Sequence, residues 1–459
     1  MSTHDRAVGA ATLKRLRKAR GWSLADLARA IIGTATDLGQ PLDANLASVQ
    51  RSVARWESGK APILPGERYQ LLLAHLYAHD RDRQMSLGAG SDFSELLDAL
   101  AHLGESERRI DELRTLLVRT ATDRSGGLIA LLGSPTQLAL TEALANPARV
   151  DDALLDALRI AVRDVNGQVG SVPFVRVQLL LAPIVAACRR LLDTGVPEPL
   201  LPGLQAIAAQ AYTLAGRAAF ETRDDIASRA LYAEATAAAG RSGQPWRRAV
   251  VHMSHALVTL YSRPGLHAAQ SLVDAAVRDA RAGGSVTVRA RAHALQAEIA
   301  ARMGAEPHAD LAARRRAASH AQAALALAWY DMDSDRDDDP APSSFSAAHL
   351  RGFEGVTSLY VGTASEAHDY FARAAATLTT PRERVQRAIV ATDQALARIR
   401  LDEPESAAAL LHDCIDAVSL TGGRVAAIRL RRARRELKPW RREDWFAAFD
   451  DHLIDSLGA

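Results

Sequence analysis

The chain has 459 residues, 48% of them hydrophobic and 24% charged, with a formal net charge of +2. That is long enough for two or three domains and apolar enough to bury a sizeable core, so the chain need not be disordered. Its two cysteines, Cys188 and Cys414, exclude a disulfide framework and a Cys-rich zinc site and point to a reducing, cytoplasmic setting.

Alanine, leucine and arginine, all strong helix formers, dominate, and alternating β-branched runs are scarce, so an all-α chain is expected. It divides into a head over 1–85, a helical connecting region over 86–200 and a helical-repeat region over 201–459. The near-neutral total hides an asymmetry, because residues 1–85 carry 13 Lys and Arg against 8 Asp and Glu. A basic head on a near-neutral body suits contact with a polyanion such as DNA. The start, residues 1–22, is charged and lacks the apolar core of a signal peptide.

In the head a first helix is expected over 10–20, with Leu13 and Leu16 inward and Gly21 at its end. Ser23 then caps a second helix, with Asp26 three places on as in a capping box, and Leu24, Leu27, Ala28 and Ile31 form its apolar side. Residues 34–47 read as loop. On the short helix that follows, Val49, Val53 and Trp56 share one face (i, i+4, i+7), and Gln50, Arg51, Ala54 and Arg55 share the other. Ser48 is read as its N-cap and Gly59 as its stop. Pro62 and Pro65 turn the chain into a closing helix over 67–79.

A short helix with an apolar back and a Gln/Arg front can pack on a small domain and present base-reading side chains to a major groove. Gln pairs with adenine and Arg with guanine through two hydrogen bonds each, so Gln50, Arg51 and Arg55 are the candidate base contacts, with Ala54 allowing close approach. Ser48 would bring the helix N-terminus near a phosphate. Arg17, Arg20 and Lys60 are candidate phosphate contacts, which position without specifying. Val53, Trp56 and Glu57 are read as structural.

Residues 81–91 read as a linker. Several helices follow to residue 200, broken at Gly/Pro-rich points, and no chemistry can be placed on them. The most apolar run, 177–188, holds Gln178 and Pro183 and is too short to span a bilayer, so no membrane partner is expected. From about residue 204 helix pairs are punctuated at Arg223-Asp224, Pro264-Gly265, Gly304-Ala305, Gly362-Thr363 and Leu401-Asp402. The recurrence is close to forty residues except across the acidic, Pro/Ser-rich stretch 331–344, read as a flexible solvated insertion. Such a unit cannot bury its own apolar face, and stacking buries it, which is the logic of an α-solenoid.

Leu16-Arg17-Lys18-Ala19-Arg20-Gly21-Trp22-Ser23, Asp26-Leu27-Ala28 and Val53-Ala54-Arg55-Trp56-Glu57-Ser58-Gly59-Lys60 together resemble the helix-turn-helix domain of the XRE (Cro/C1-repressor-like) regulators. Leu24 stands where that family commonly has a phosphate-touching Gln, and the loop before the third helix is longer than the family's tight turn. The carboxyl-terminal half resembles tetratricopeptide (TPR-like) repeats. The combination looks like the helix-turn-helix/TPR regulators of Gram-positive bacteria, of actinomycete type. The resemblance implies an N-terminal helix-turn-helix domain followed by an α-solenoid of TPR-like pairs. It also implies a double-stranded DNA operator, a homodimer, and an effector that is a peptide or small molecule. The competing class is a TPR-type protein-interaction scaffold with the helix-turn-helix as docking module.

An effector groove would be lined by the first helix of each repeat, where Arg217, His255, Gln296, Glu354 and Gln394 stand at comparable places. Asparagines, useful for clamping a peptide backbone, are scarce in the repeats. His252, His255 and His293 lack a partner ligand set at fixed spacing, and Asp331 to Asp337 departs from a calcium loop at its sixth and twelfth positions. The arginine-rich run 424–442 reads as a charged outer face of capping helices or as a second polyanion contact. There is no Gly-rich phosphate loop, nucleophile elbow or His-Glu-x-x-His, so neither catalysis nor a cofactor or metal is expected.

Overall fold

Helix formers give helix throughout. The computed structural model describes residues 3–38, 42, 44–79, 85–88, 90–107, 109–111, 113–114, 117, 134–193, 195–262, 265–334, 338–341, 345–380 and 383–457. Among these there is no strand, only the isolated bridges His79–Met85 and Val169–Val172. The chain forms two compact units: Met1–Arg149 with Gln178–Leu191, and Val150–Val177 with Leu192–Ala459.

The first unit begins with α1 (Thr3–Ala19), α2 (Leu24–Asp37), α3 (Leu46–Trp56), α4 (Glu67–Tyr77), α5 (Asp92–Leu103) and α6 (Ser134–Ala145). The α1 helix starts seven residues earlier than expected, with Asp5 in its first turn facing the positive end of the helix dipole. It packs on α5, and only glycine fits at the crossing, since a Cβ on Gly9 would lie 2.6 Å from the Ala99 carbonyl oxygen. This contact joins a helix from beyond residue 85 to the head. Gly21, at φ 71°, ends α1, and Ser23 and Asp26 form the expected capping box of α2. The α2 helix runs on through residues expected in loop, because Ala35 continues its buried stripe Leu27, Ala28, Ile31. It packs against both α3 and α4. The expected linker is partly outside the described residues; of the rest, the Ser86 amide donates to Ala78 O at 2.8 Å, folding the chain back on the end of α4.

The second unit begins with α7 (Asp152–Gly167) and parts of α8 (Phe174–Asp193). Five packed pairs follow: α9 (Leu201–Glu221) with α10 (Asp225–Arg241), α11 (Pro245–Leu260) with α12 (Leu266–Ala282), α13 (Val286–Gly304) with α14 (Leu311–Met332), α15 (Ala347–Val361) with α16 (Ala364–Thr377), and α17 (Arg384–Arg400) with α18 (Pro404–Thr421). Then come α19 (Arg424–Glu436) and α20 (Asp444–Leu457). The five turns marked in the sequence each fall at the join between the two helices of one pair; Pro264 itself lies outside the described residues. The first helices contact one another in series, α9 to α11 to α13 to α15 to α17, then α19, and α19 returns to contact α9. Pairs of helices stacked in this way are consistent with an α-solenoid. Where α15 meets α16, a Cβ on Gly355 would lie 2.6 Å from the buried Phe371 ring.

The insertion corrects the sequence reading. Asp331 is the penultimate residue of α14, buried and paired with Arg289 at 2.6 Å, and Asp339 accepts the Thr287 amide at the start of α13 at 2.9 Å. Residues 335–337 and 342–344 lie outside the described residues. Asp331, Asp339 and Ala341 are thus tied to the repeats, while Asp333, Asp338 and Pro340 are exposed, in keeping with a solvated stretch.

Candidate nucleic-acid interface and ligand cavity

The α3 helix begins at Asn45, whose side chain accepts the Ser48 amide at 2.9 Å. Asn45, rather than Ser48, is therefore the N-cap. Ser48 sits three residues inside and its carbonyl accepts the Ser52 hydroxyl at 3.2 Å; Asn caps as well as Ser, so the sequence alone could have supplied this answer. The helix stops at Trp56, with Glu57 as C-cap at φ −89°; Gly59 takes no positive φ and is not the stop. Val49, Val53 and Trp56 are buried, and Trp56 meets Tyr69 edge-on at 4.9 Å. On the other face Arg51, Ala54 and Arg55 are exposed and Gln50 is half-buried, with Lys60 exposed just beyond. Among the described residues Arg51, Arg55 and Lys60 enter no ion pair.

Arg17 and Arg20 go elsewhere than expected. Arg17 is buried and grips Glu57 with two nitrogens, at 2.8 and 2.7 Å, while also donating to Trp22 O at 2.7 Å. The Glu57 hydrogen bond outweighs burial and holds the Arg17 pKa above its usual value. Arg20 donates to Asp92 (2.8 Å), Leu76 O (3.0 Å) and His79 O (2.6 Å), with its guanidinium 4.6 Å from the Tyr77 ring centre. Both arginines bind the head's helices together and are not available to phosphate. The partner carboxylates lie 40 and 72 residues away, so nothing local in the sequence revealed them.

The second unit holds a half-open cavity of about 850 Å³. Its walls are the first helices of the pairs, as expected for a groove, but the expected residues are out of phase. Arg217 lines it; on the next four helices the lining residues are Ser254, Leu295, Phe353 and Asp393, one position before His255, Gln296, Glu354 and Gln394. One residue is about 100° of helix, enough to turn those four side chains out of the cavity and toward neighbouring side chains. His255 stacks on Tyr232 at 4.6 Å, Gln296 meets His293 at 3.2 Å, Glu354 accepts the Trp329 indole at 2.8 Å, and Gln394 lies 3.5 Å from His368.

Apolar side chains such as Leu214, Val250, Leu257, Leu295 and Ile389 line the cavity, together with the polar Gln210, Thr213, Ser254 and Gln386. At the carboxyl-terminal ends of the inner helices lies a buried charged network. Arg429 of α19 pairs with Asp393, donates to the Tyr261 hydroxyl at 2.7 Å and lies 3.7 Å from Glu298. Arg302 pairs with the same Glu298 at 2.7 Å and donates to the Tyr360 hydroxyl at 2.8 Å. Burial alone would lower the Arg429 pKa; Asp393, Tyr261 and Glu298 outweigh it and hold it raised. Arg424 of the same helix pairs with Asp225, the Val425 amide donates to Glu221 at 3.0 Å, and Arg432 donates to Tyr360. So α19 lies as a crossbar over the ends of α9, α11, α13 and α15. Arg424, Arg429 and Arg432 face carboxylates, a tyrosine hydroxyl and the negative ends of helix dipoles, which corrects the outer-face or polyanion reading at those positions, while Arg435, Lys438, Arg441 and Arg442 are exposed, in keeping with a charged outer face.

Comparison with protein-family models, curated proteins and solved structures finds no match. Among the described residues no group of three or more His, Cys, Asp or Glu could hold a metal ion, and no helix is long and apolar enough to cross a membrane. His252 faces Asp279 at 3.5 Å, apart from the partners of His255 and His293 given above.

Proposed function

We propose that this chain is a sequence-specific DNA-binding transcriptional regulator. In this reading the first unit carries a helix-turn-helix head of XRE type, and the TPR-like repeats pair two copies and bind an effector. The observation that carries it is the face of α3: Arg51, Ala54 and Arg55 are exposed while Val49, Val53 and Trp56 anchor the helix from behind. Base-edge contacts fall to Gln50, Arg51 and Arg55 and a phosphate contact to Lys60. No catalytic step is assigned. An effector acts here only by favouring one arrangement of the two heads, since equal affinity for both would shift nothing.

The test is in vitro selection of bound duplex DNA by the full chain, followed by footprinting. Arg51→Ala is expected to weaken the selected site by about 1–3 kcal/mol and relax one base position, with helical content unchanged by circular dichroism. Affinity should also fall steeply with salt. An unaltered footprint removes the role given to Arg51. The scaffold reading is favoured by one observation, the exposed Leu311, Leu327 and Tyr330 on α14, Tyr330 being 74% exposed. It predicts retained partner proteins and no sequence-selective DNA.

A further inference from the structure

We infer that the cavity of the repeat unit is a receptor for a small amphipathic monoanion, with one acidic group on an apolar, ring-bearing body. The volume, about 850 Å³, falls in the range of small-molecule sites. Much of the lining is aliphatic, and rings from separate segments, Trp246, Phe345 and Phe353, stand at it, offering flat faces to a ring system.

The two ends of the cavity differ in charge. At the crossbar end the lining arginines are matched: Arg429 by Asp393 and Glu298, Arg217 by Glu221 at 2.6 Å. At the other end, where α11 begins, Arg247 is half-buried and enters no ion pair among the described residues. Its Nε donates to the neutral Gln244 side chain, and its guanidinium lies 4.3 Å from the Trp246 ring centre. Burial and the neighbouring Arg159 both lower its pKa, a cost that an arriving anion removes. The carboxylate of that end, Glu383, is held by the Thr380 amide and hydroxyl at 3.0 and 2.7 Å and stands 3.9 Å from His349. Arg291, which also lines the cavity, is engaged in an interaction of its own. The acidic group therefore belongs at Arg247 and the body against the apolar wall.

This gives a ligand class to the sensing half of the proposed function and rests on that half alone. The test uses two dyes with the same ring body, anionic 8-anilinonaphthalene-1-sulfonate and neutral N-phenyl-1-naphthylamine, titrated into the full chain without DNA and followed by fluorescence. The anion should bind about ten-fold tighter. Arg247→Ala should erase that preference, Arg247→Lys should restore part of it, and the neutral dye should change less than about two-fold in either. Val250→Trp, which projects an indole into the cavity, should weaken binding of both; Leu295→Trp replaces it if that variant does not fold. Equal affinity for the two dyes, indifference to Arg247→Ala, or binding of both dyes unchanged in a folded Trp variant overturns the inference. Because no DNA is present, a failed operator selection leaves this result standing, and a failed titration leaves the DNA reading standing.

Discussion

Arg223 and Asp402 hold left-handed backbone, at φ 68° and 63°, the region that disfavours a Cβ. Each follows the last turn of an inner helix. The Asp224 amide reaches Ala219 O at 2.8 Å and the Glu403 amide reaches Arg398 O at 2.9 Å, the bond that closes a Schellman turn. Arg223→Gly should therefore raise stability by about 0.5–1 kcal/mol, read as a higher urea midpoint; a lower midpoint would show that the arginine side chain contributes more than its backbone costs. His75 carries a strain of another kind. Burial, with His79 adding repulsion, lowers its pKa to about 4. The unfolded chain, with a pKa near 6.5, takes up the proton first. The stability contributed by neutral His75 is thus complete above pH 6.5 and is lost as pH falls toward 4. His75→Leu should flatten that slope in urea denaturation at pH 7, 5.5 and 4.5.

The buried pair across α17 and α19 predicts a sharper effect. Asp393 and Arg429 are 3% and 7% exposed, and removing one partner strands a charge. Asp393→Ala should cost about 3–5 kcal/mol, while replacing both residues with apolar ones of similar volume should cost far less; equal losses would mean the pair matters through packing. Elements such as these were legible in unequal measure. The α2 cap, the α3 anchor residues and the five repeat turns could be read because Ser, Gly, Asp and a Trp mark them locally. The facing of the repeat helices could not. An inner helix touches its own partner and two neighbours, so its apolar stripe is wide and its centre ill-defined by periodicity. On α13, Ala290, Ala292, Ala294 and Ala297 are all buried, on different sides, and an error of one residue is invisible in such a run. The inward turn of Arg424, Arg429 and Arg432 was hidden for a different reason, since their acceptors lie as far as 199 residues away.

At the scale of the whole repeat unit, α19 converts a linear stack into a closed series. In an open array each pair is stabilised by its neighbours alone. Here Glu221 holds both Arg217 and the Val425 amide, so a change at the first pair is felt at the far end. Glu221→Ala should speed amide exchange in Arg424–Glu436 as well as in its own helix, measured by hydrogen–deuterium exchange and mass spectrometry; protection unchanged in α19 would mean that Arg424, Arg429 and Arg432 hold the crossbar without Glu221.

Synthesis order gives this closure a history. The Val425 amide leaves the ribosome 204 residues after Glu221, roughly 10–40 s later at ordinary elongation rates. Until then Glu298 and Asp393 lack the Arg429 cation, and the nascent chain has a receptor with no floor. Ligand capture is thereby deferred until α19 has emerged, and a product terminated before it would display the walls without the means to retain anything between them.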